Sequence, residues 1–197
     1  RPVVARGVAA SKKNCGSGGT LIFVDETGFS ECPPLRRTWA PEGQTPIVTS
    51  RGRSWRRMAA IGALLYSGDG QRARVLMQLH AGNVRTAEIV GFLRHLKRHV
   101  RGRAILIWDG LGAHWSGAAR DFIHSQRRWL TAVRLPAYAP ELNPVEALWA
   151  WTKQGDFANT AIDGLDEVAD RVRSSTRRCR RRNALLLGFL AKAGLSI

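Results

Sequence analysis

Stretches of apolar residues along the chain predict a set of strands. The run Leu21–Val24 in "TLIFVDETGF" is continuously apolar, which is typical of a strand that is buried on both faces. The segments "RRMAAIGALLYS" and "RARVLMQLH" flank the turn signal "GDG" at 68–70, and together they predict a β-hairpin. The segment "AILIWDG" predicts a second buried strand, and "LTAVRLPA" predicts another.

Other stretches repeat their apolar residues with the period of a helix. In "TAEIVGFLRHLKRHV" the apolar residues gather on one face and the basic residues lie off it. Thr86 is the expected N-cap of this helix, and Glu88 suits its positive end. The segment "SGAARDFIHSQRRW" predicts a second helix, Asn143-Pro144 opens a third, and the part from 163 to 193 also has a helical pattern.

The predicted order is strand, hairpin pair, helix, strand, helix, strand, helix. Strands that alternate with helices after an initial meander predict an α/β fold with a mixed sheet. We expect three regions: a flexible N-terminal lead (1–19), a folded domain (20–160) and a basic helical C-terminal extension (161–197). The Pro-, Gly- and Arg-rich stretch between the first strand and the hairpin is interpreted as a functional loop, because structureless loops of that length are uncommon.

The charge balance indicates a polyanionic partner. Lys and Arg number 31 against 15 Asp and Glu, which gives a formal net charge of +16. A surplus of this size commonly serves phosphate backbones, and a merely soluble basic protein is the alternative. The section "RVRSSTRRCRRR" fits either a phosphate-facing helix surface or a solvated tail.

Cysteine usage and hydropathy bear on the compartment. Cys15, Cys32 and Cys179 are far apart and include no Cys-x-x-Cys pair, so we expect neither disulfides nor zinc and predict a reducing cytoplasm. The first residues lack the apolar centre of a signal peptide, and no apolar run reaches the length of a membrane span. The chain starts with Arg1 rather than Met, so we expect a fragment or the second half of something longer.

Three carboxylates fall where α/β sheets commonly place ligand sites. Asp25 ends the strand "LIFVD" and Asp109 ends "ILIWD", and ligands of open α/β sheets bind beyond the carboxyl ends of strands. If the two strands are neighbours, both carboxylates project to one edge, where their repulsion calls for a cation. Hard oxygen ligands favour Mg²⁺ or Mn²⁺. Glu146, at the start of the helix in "NPVEALWAW", is the best candidate for a third ligand.

Each of these carboxylates also has a structural explanation. Asn143, Pro144 and Glu146 fit the N-cap, N1 and N3 positions of a capping box, and Glu146 taken alone favours that explanation. Asp25 and Asp109 could each be a turn-forming aspartate after a strand. The three together, in a strongly basic chain, favour a site at which two metal ions act on a phosphodiester.

The motifs "FVDETGF", "WDGLGAH" and "LPAYAPELNPVEALWAWTK" closely resemble the catalytic core of the DDE transposases, and most of all the bacterial insertion-sequence branch of the mariner superfamily. The resemblance covers about residues 20 to 155. It implies a ribonuclease-H-like fold, with a mixed five-stranded sheet flanked by helices. It also implies a metal-binding catalytic triad of Asp25, Asp109 and Glu146 that holds a pair of Mg²⁺ or Mn²⁺ ions.

The same resemblance implies an activity and its partners. Such an enzyme cleaves phosphodiester bonds at transposon ends and joins the 3′ ends to TA-containing target DNA, as a homodimer or larger assembly. We expect it in the bacterial cytoplasm, at the nucleoid. Relatives carry an upstream helix-turn-helix part that reads the terminal repeats, and residues 1–19 cannot form one. End recognition is therefore expected from a part outside this chain.

Several residues are candidates for DNA contacts. The loop "PPLRRTWAPEGQTP" looks like the segment that contacts DNA or the partner subunit in relatives. Its Arg36, Arg37 and Trp39 combine charge with a flat ring, as nucleic-acid contacts often do, and a loop anchored by one buried tryptophan is the alternative. His114 could touch a phosphate or be a packed or exposed histidine. Lys153 lies on nearly the same helix face as Glu146 and could hold the DNA backbone or be solvated.

The other polar and aromatic residues near the three carboxylates are expected to have mainly structural roles. Asn143 could support the metal ligands from behind, although a helix N-cap is its more ordinary role. Glu26 would point to the opposite face of the strand from Asp25, so it is not expected to be a ligand. Trp149 and Trp151 are expected in the core rather than in base stacking.

Three functions are compatible with these residues. The main one is a transposase catalytic domain. The second is a DNA-binding remnant that does not cut, and the third is another ribonuclease-H-like nuclease, for instance one acting on RNA–DNA hybrids. Glycoside hydrolysis, which also uses paired carboxylates, is disfavoured by the basic charge and the third acid.

Overall fold

A computed structural model describes residues 18–32, 34–49 and 56–195, in which five strands form a single mixed sheet. The sheet has the order β3-β2-β1-β4-β5; β1 and β3 each pair antiparallel with β2, whereas β4 runs parallel to β1 and β5 parallel to β4. The predicted hairpin and the predicted mixed sheet are both confirmed. The strands are β1 (Thr20–Ser30), β2 (Arg57–Ser67), β3 (Ala73–Ala81), β4 (Ala104–Trp108) and β5 (Leu130–Arg134).

The register of the central strands explains where two carboxylates lie. The parallel ladder between β1 and β4 pairs Phe23 with Ile107. Two residues further along the chain come Asp25 and Asp109, so both follow the same end of the ladder. Asp109 directly follows β4, but the prediction that Asp25 ends its strand is wrong, because β1 continues to Ser30 in its pairing with β2. The residues before them are apolar and almost fully buried, which fixes these strands at the centre of the sheet.

Helices cover both faces of the sheet. One face is covered by α1 (Thr86–His99) and α2 (Gly117–Ser125). The other is covered by α3 (Pro144–Thr152), α4 (Leu165–Arg180) and α5 (Asn183–Lys192). None of the helices in the described ranges has both the length and the apolar character to cross a membrane.

The start of α1 differs by one residue from the prediction. Thr86 is the first helical residue and Arg85 is the N-cap. The Glu88 side chain accepts a hydrogen bond from the Arg85 backbone N–H at 2.8 Å. The Glu88 side chain thus caps the helix from its first turn. A Ser or Thr hydroxyl at the N-cap is not needed for this hydrogen bond.

The C-terminal helices belong to the hydrophobic core on their face of the sheet. Val168, Val172, Cys179 and Leu186 lie in the same buried cluster as Val145 and Leu148 of α3. The residues on either side of the predicted domain boundary at 160 therefore share one core. The boundary itself stays a prediction. Of the predicted N-terminal lead, residues 1–17 lie outside the described part of the chain.

Several arginines of α4 make contacts within the protein, although Arg178 and Arg180 are also exposed. Arg171 pairs with Glu167 at 2.7 Å, and Arg178 pairs with Asp156. Arg180 Nε donates to the Val75 carbonyl at 3.1 Å. The Arg-rich section is thus largely a packed helix rather than a solvated tail, and its phosphate-facing surface stays a prediction.

Candidate active site

An open cleft of about 430 Å³ lies just past the end of the parallel ladder between β1 and β4. Asp25 reaches it from β1, Asp109 from the turn after β4, and Glu146 from the first turn of α3. The structure thus brings the three predicted carboxylates to one cavity. They come from three distant parts of the chain, which argues against three independent turn or cap roles.

Asp25 is a partly buried carboxylate with one strong internal partner. Trp149 Nε1 donates a hydrogen bond to Asp25 Oδ2 at 2.8 Å. Burial, and after it the neighbouring charge of Glu146, raise the pKa of Asp25 from 3.8 to about 7, although the Trp149 hydrogen bond acts in the lowering direction.

Glu146 does not close the capping box that its position suggested. The backbone N–H of Asn143, which such a box would satisfy, donates to the Pro140 carbonyl at 2.9 Å. The Asn143 side chain caps the helix by accepting from the Val145 N–H at 3.2 Å. The exposed Glu146 side chain is therefore free of the cap and lines the cleft.

The Asn143 side chain caps α3 and also hydrogen-bonds to the central strand β1. Its Nδ2 donates to the Val24 carbonyl at 3.4 Å, immediately before Asp25. Asn143 itself is buried, with 5% of its surface exposed. The N-cap interpretation holds, and the same side chain joins the start of α3 to the strand that carries Asp25.

Asp109 is held by a turn and by a histidine. Its Oδ1 accepts from the Leu111 N–H at 2.9 Å, so the turn-forming role expected for a strand-end aspartate is present. Half of the side chain remains exposed to the cleft. A turn role and a ligand role are therefore compatible for Asp109.

His114 is packed behind the cleft and does not face it. Its ring is fully buried and stacks on Trp108, with centroids 4.4 Å apart and an interplanar angle of 5°. Nε2 is hydrogen-bonded to Glu26 Oε1 at 2.9 Å, and Nδ1 lies 2.7 Å from Asp109 Oδ1 without good hydrogen-bond alignment. The prediction that His114 contacts DNA is wrong, because the ring is fully buried. His114 instead bridges two carboxylates inside the protein.

The charge state of His114 follows from those two carboxylates. Burial lowers its pKa, but the hydrogen bond and charge of Glu26, together with the charge of Asp109, outweigh burial and leave the pKa raised. Glu26 reaches His114 while Asp25 reaches Trp149 on the other face of the sheet, as the strand period predicts. The bridge therefore favours a charged imidazolium.

Lys153 is a half-buried lysine beside the cleft, which differs from a freely solvated one. Its Nζ donates to Thr27 Oγ1 at 2.6 Å and lies 5.5 Å from the centroid of the Phe29 ring. Burial lowers the pKa of Lys153, while the charges of Glu146 and Asp25 act in the opposite direction. A positive charge is thus held close to two of the three carboxylates.

The loop between β1 and β2 presents its side chains to solvent. Asn159 anchors it by accepting from the Arg36 N–H at 2.7 Å and donating to the Arg36 carbonyl at 2.8 Å. The Arg36 and Arg37 side chains are exposed, and Trp39 is 99% exposed. The alternative of a loop anchored by a buried tryptophan is wrong.

Three residues of the site were not expected to take part. Trp149 is in the core as predicted, yet it also orients Asp25; its position three residues after Glu146 on one helix face was the available signal. Arg134 and Tyr138 line the cleft from the end of β5 and the turn after it. Tyr138 is fully exposed in a left-handed conformation with φ of 57°, which no sequence pattern indicates.

The donor set of the cleft fits a hard divalent cation. Within the described ranges, no group of three or more His, Cys, Asp or Glu side chains stands close enough to hold a metal ion as arranged. The cleft nevertheless offers three carboxylates, and burial together with the nearby charge of Glu146 raises the pKa of Asp25, so a bound cation would stabilise its ionised form. Carboxylate oxygens are the ligands that Mg²⁺ and Mn²⁺ prefer.

Comparison with solved structures shows the same fold in a mariner transposase. The catalytic domain of Mos1 mariner transposase matches with a TM-score of 0.56 at 13% identity, over 98% of this chain and 91% of that one. The Mos1 mariner paired-end complex with Mn matches at 0.65 and 16%, over 96% and 55%. The Mos1 strand transfer complex matches at 0.59 and 15%, over 98% and 60%. The chain spans little more than half the length of the proteins in those two complexes.

Sequence comparison identifies the family. No curated protein matches the chain significantly. The family model of the DDE superfamily endonucleases matches residues 20–169, which is most of the chain and includes all three carboxylates. The fold is the ribonuclease-H-like one expected from the motifs, with a mixed five-stranded sheet flanked by helices. This chain therefore belongs to the DDE superfamily endonucleases.

Proposed function

We propose that this chain is the catalytic domain of a transposase that cleaves phosphodiester bonds at transposon ends and joins the 3′ ends to target DNA. The observation that carries the proposal is the convergence of Asp25, Asp109 and Glu146 on one cleft. The basic surplus of the chain and its family support a DNA substrate. The bacterial insertion-sequence branch and a cytoplasmic, nucleoid-associated location remain part of the proposal.

The three carboxylates would hold the metal ions, Mg²⁺ or Mn²⁺. When bound, a pair of such ions stabilises the attacking and leaving oxygens of an in-line displacement at phosphorus. Water would hydrolyse the phosphodiester at the element end, and the freed 3′-hydroxyl would attack the target strand. No covalent enzyme intermediate is needed, because the protein acts by positioning and by charge.

The chain's own residues orient these carboxylates before any ligand arrives. Trp149 fixes Asp25 by one hydrogen bond, and His114 and the Leu111 N–H hold Asp109. Asn143 joins the helix of Glu146 to the strand of Asp25. Side chains held by such surrounding contacts lose less freedom on binding, which is a general requirement of catalytic sites.

One lysine beside the cleft and the exposed β1–β2 loop would contact DNA. Lys153 lies close enough to Glu146 and Asp25 for their charges to affect its pKa. It would hold the DNA backbone beside these two carboxylates. Arg36, Arg37 and Trp39 lie exposed on the β1–β2 loop and would contact DNA or a second subunit. The same loop exposes Leu35 (82%) and Ile47 (87%), which supports a homodimer in which this loop is covered. The part that reads the terminal repeats would lie outside this chain.

Cleavage of supercoiled plasmid DNA tests the proposal. The chain should nick DNA with Mg²⁺ or Mn²⁺ and not with EDTA, and Glu146→Gln should abolish nicking while the fold is retained. Glu141→Gln is the matched control, because Glu141 is an exposed glutamate just before the same helix. Equal nicking by the wild type and Glu146→Gln would exclude the assignment of Glu146.

The products separate the proposed function from its alternatives. Joining of a pre-cut DNA end to plasmid indicates a transposase, because strand transfer belongs to that function alone. Cleavage confined to RNA–DNA hybrids would indicate another ribonuclease-H-like nuclease. DNA binding without cleavage by the wild type would indicate a binding remnant.

A further inference from the structure

The end of β5 places an arginine in the cleft that no motif assigns. We propose that Arg134 binds a phosphate of the DNA strand that enters the cleft, and that Gly110 is present to leave room for its guanidinium. The inference rests on the proposed function, because it takes DNA as the ligand. It assigns a phosphate-binding role to one residue and a space-making role to another.

The position of Arg134 follows from the register of the sheet. The parallel ladder between β4 and β5 pairs Arg134 with Trp108, the residue before Asp109. The Leu135 N–H donates to the Trp108 carbonyl at 2.7 Å, so the backbone is held at this point. Arg134 therefore lines the same cleft as the three carboxylates, beside the turn that carries Asp109.

The guanidinium of Arg134 occupies the space that a side chain at Gly110 would need. A Cβ placed on Gly110 would lie 2.1 Å from Nη2 and 2.6 Å from both Cζ and Nε of Arg134. The backbone of Gly110 does not have a positive φ, so the conformation alone does not require glycine here. The need for glycine at 110 comes from the arginine.

The charge of Arg134 is not used inside the protein. Within the described ranges its guanidinium makes no ion pair and no side-chain hydrogen bond, although it shares a cleft with three carboxylates. An arginine that only balanced the carboxylates would pair with one of them, so this one is available to a ligand.

A phosphodiester is the ligand that suits this arrangement. Guanidinium groups bind phosphate oxygens in a two-pronged geometry, and they keep their charge at every working pH. The cleft is open, exposed Arg134 lies at its wall, and DNA must enter it for the proposed reaction. Arg134 would thus hold a phosphate of the same strand that the carboxylates act on.

Binding of a short fluorescein-labelled DNA duplex, measured by anisotropy in EDTA at several salt concentrations, tests the proposal without cleavage. Arg134→Ala should weaken binding about tenfold at low salt and lower the slope of log K against log salt by about 0.9, the value for one phosphate contact. Arg134→Lys should keep the slope and recover part of the affinity. Arg103→Ala is the charge control, because exposed Arg103 precedes β4 at the other end of the sheet.

Substitution of Gly110 tests the proposal more specifically. Gly110→Ala should cause the same loss as Arg134→Ala, and the double variant should lose no more than either single one. The added methyl group meets only the end of a flexible side chain, so the free energy of unfolding should hardly change. Gly112→Ala is the matched control in the same turn, because a Cβ there meets nothing within 4 Å.

The outcomes separate this proposal from the proposed function. A wild-type chain that binds DNA but never cleaves it would contradict the function, and the pattern of Arg134 and Gly110 would still decide the inference. Arg134→Ala that binds like Arg103→Ala would overturn the inference. Additive losses from Gly110→Ala and Arg134→Ala would also overturn it, because the two residues would then act separately.

Discussion

Removing the charge of Asp25 should make the protein more stable at neutral pH. Burial and the Glu146 charge raise the pKa of Asp25 from 3.8 to about 7, so the folded protein binds this proton more tightly than the unfolded chain does. The ionised carboxylate therefore costs stability in the folded state. Asp25→Asn keeps an oxygen that can accept from Trp149 Nε1, but it carries no charge.

The pH dependence of the effect follows from the direction of the shift. The penalty is absent below pH 3.8, grows as the pH rises from there, and is complete above about pH 7. One pKa unit corresponds to about 1.4 kcal/mol, which sets an upper bound of about 4 kcal/mol. Asp25 is only partly buried, so we expect Asp25→Asn to gain about 1–3 kcal/mol at pH 8.

Urea unfolding of the wild type and Asp25→Asn, in EDTA and across this pH range, measures the difference. The gain should be small near pH 4 and level off above pH 7, and Mn²⁺ should reduce it by stabilising the wild type alone. Asp121→Asn, an exposed carboxylate of α2, is the control for the substitution itself. A less stable Asp25→Asn, or a gain that does not vary with pH, would show that the ionised Asp25 carboxylate does not destabilise the folded protein.

Four further predictions concern the neighbours of the cleft. Trp149→Phe keeps an aromatic side chain but removes the hydrogen bond to Asp25, and it should slow plasmid nicking about tenfold without loss of folding by circular dichroism. His114→Ala leaves Glu26 without its buried partner and should lower the free energy of unfolding by about 3 kcal/mol in urea titrations. Gly62→Ala places a Cβ 2.4 Å from the buried Trp149 ring and should cost about 1–3 kcal/mol, whereas Gly91→Ala on α1 meets nothing and should not destabilise. The chain alone should bind unrelated DNA duplexes with similar affinity and a steep dependence on salt, and a salt-insensitive, sequence-specific binding curve would contradict this.

The strands and the convergence of carboxylates were predictable because they depend on short-range patterns. Continuous apolar runs before Asp25 and Asp109 indicate neighbouring central strands, and the strand period separates Glu26 from Asp25. Asn143 is an N-cap in both the prediction and the structure. Each of these features is decided within a few residues of the chain.

The rest of the site depends on contacts between distant residues. His114 looked like a DNA contact because its spacing from Asp109 says nothing about Trp108 and Glu26, which bury it. Trp149 looked like core alone, because its N–H meets Asp25 only after α3 packs on the sheet. Arg134 gave no signal at all, since its place beside the site follows from the pairing of β5 with β4.

Iron-directed cleavage of the protein backbone would show whether Asp25, Asp109 and Glu146 bind metal at one site. Fe²⁺ would replace Mg²⁺, ascorbate and peroxide would generate oxidants at the bound iron, and mass spectrometry would locate the cuts. We expect cuts close to all three residues, suppressed by excess Mn²⁺ and lost together in Asp109→Asn. Cuts elsewhere in the chain, or cuts near the three residues that survive Asp109→Asn unchanged, would contradict a shared metal site.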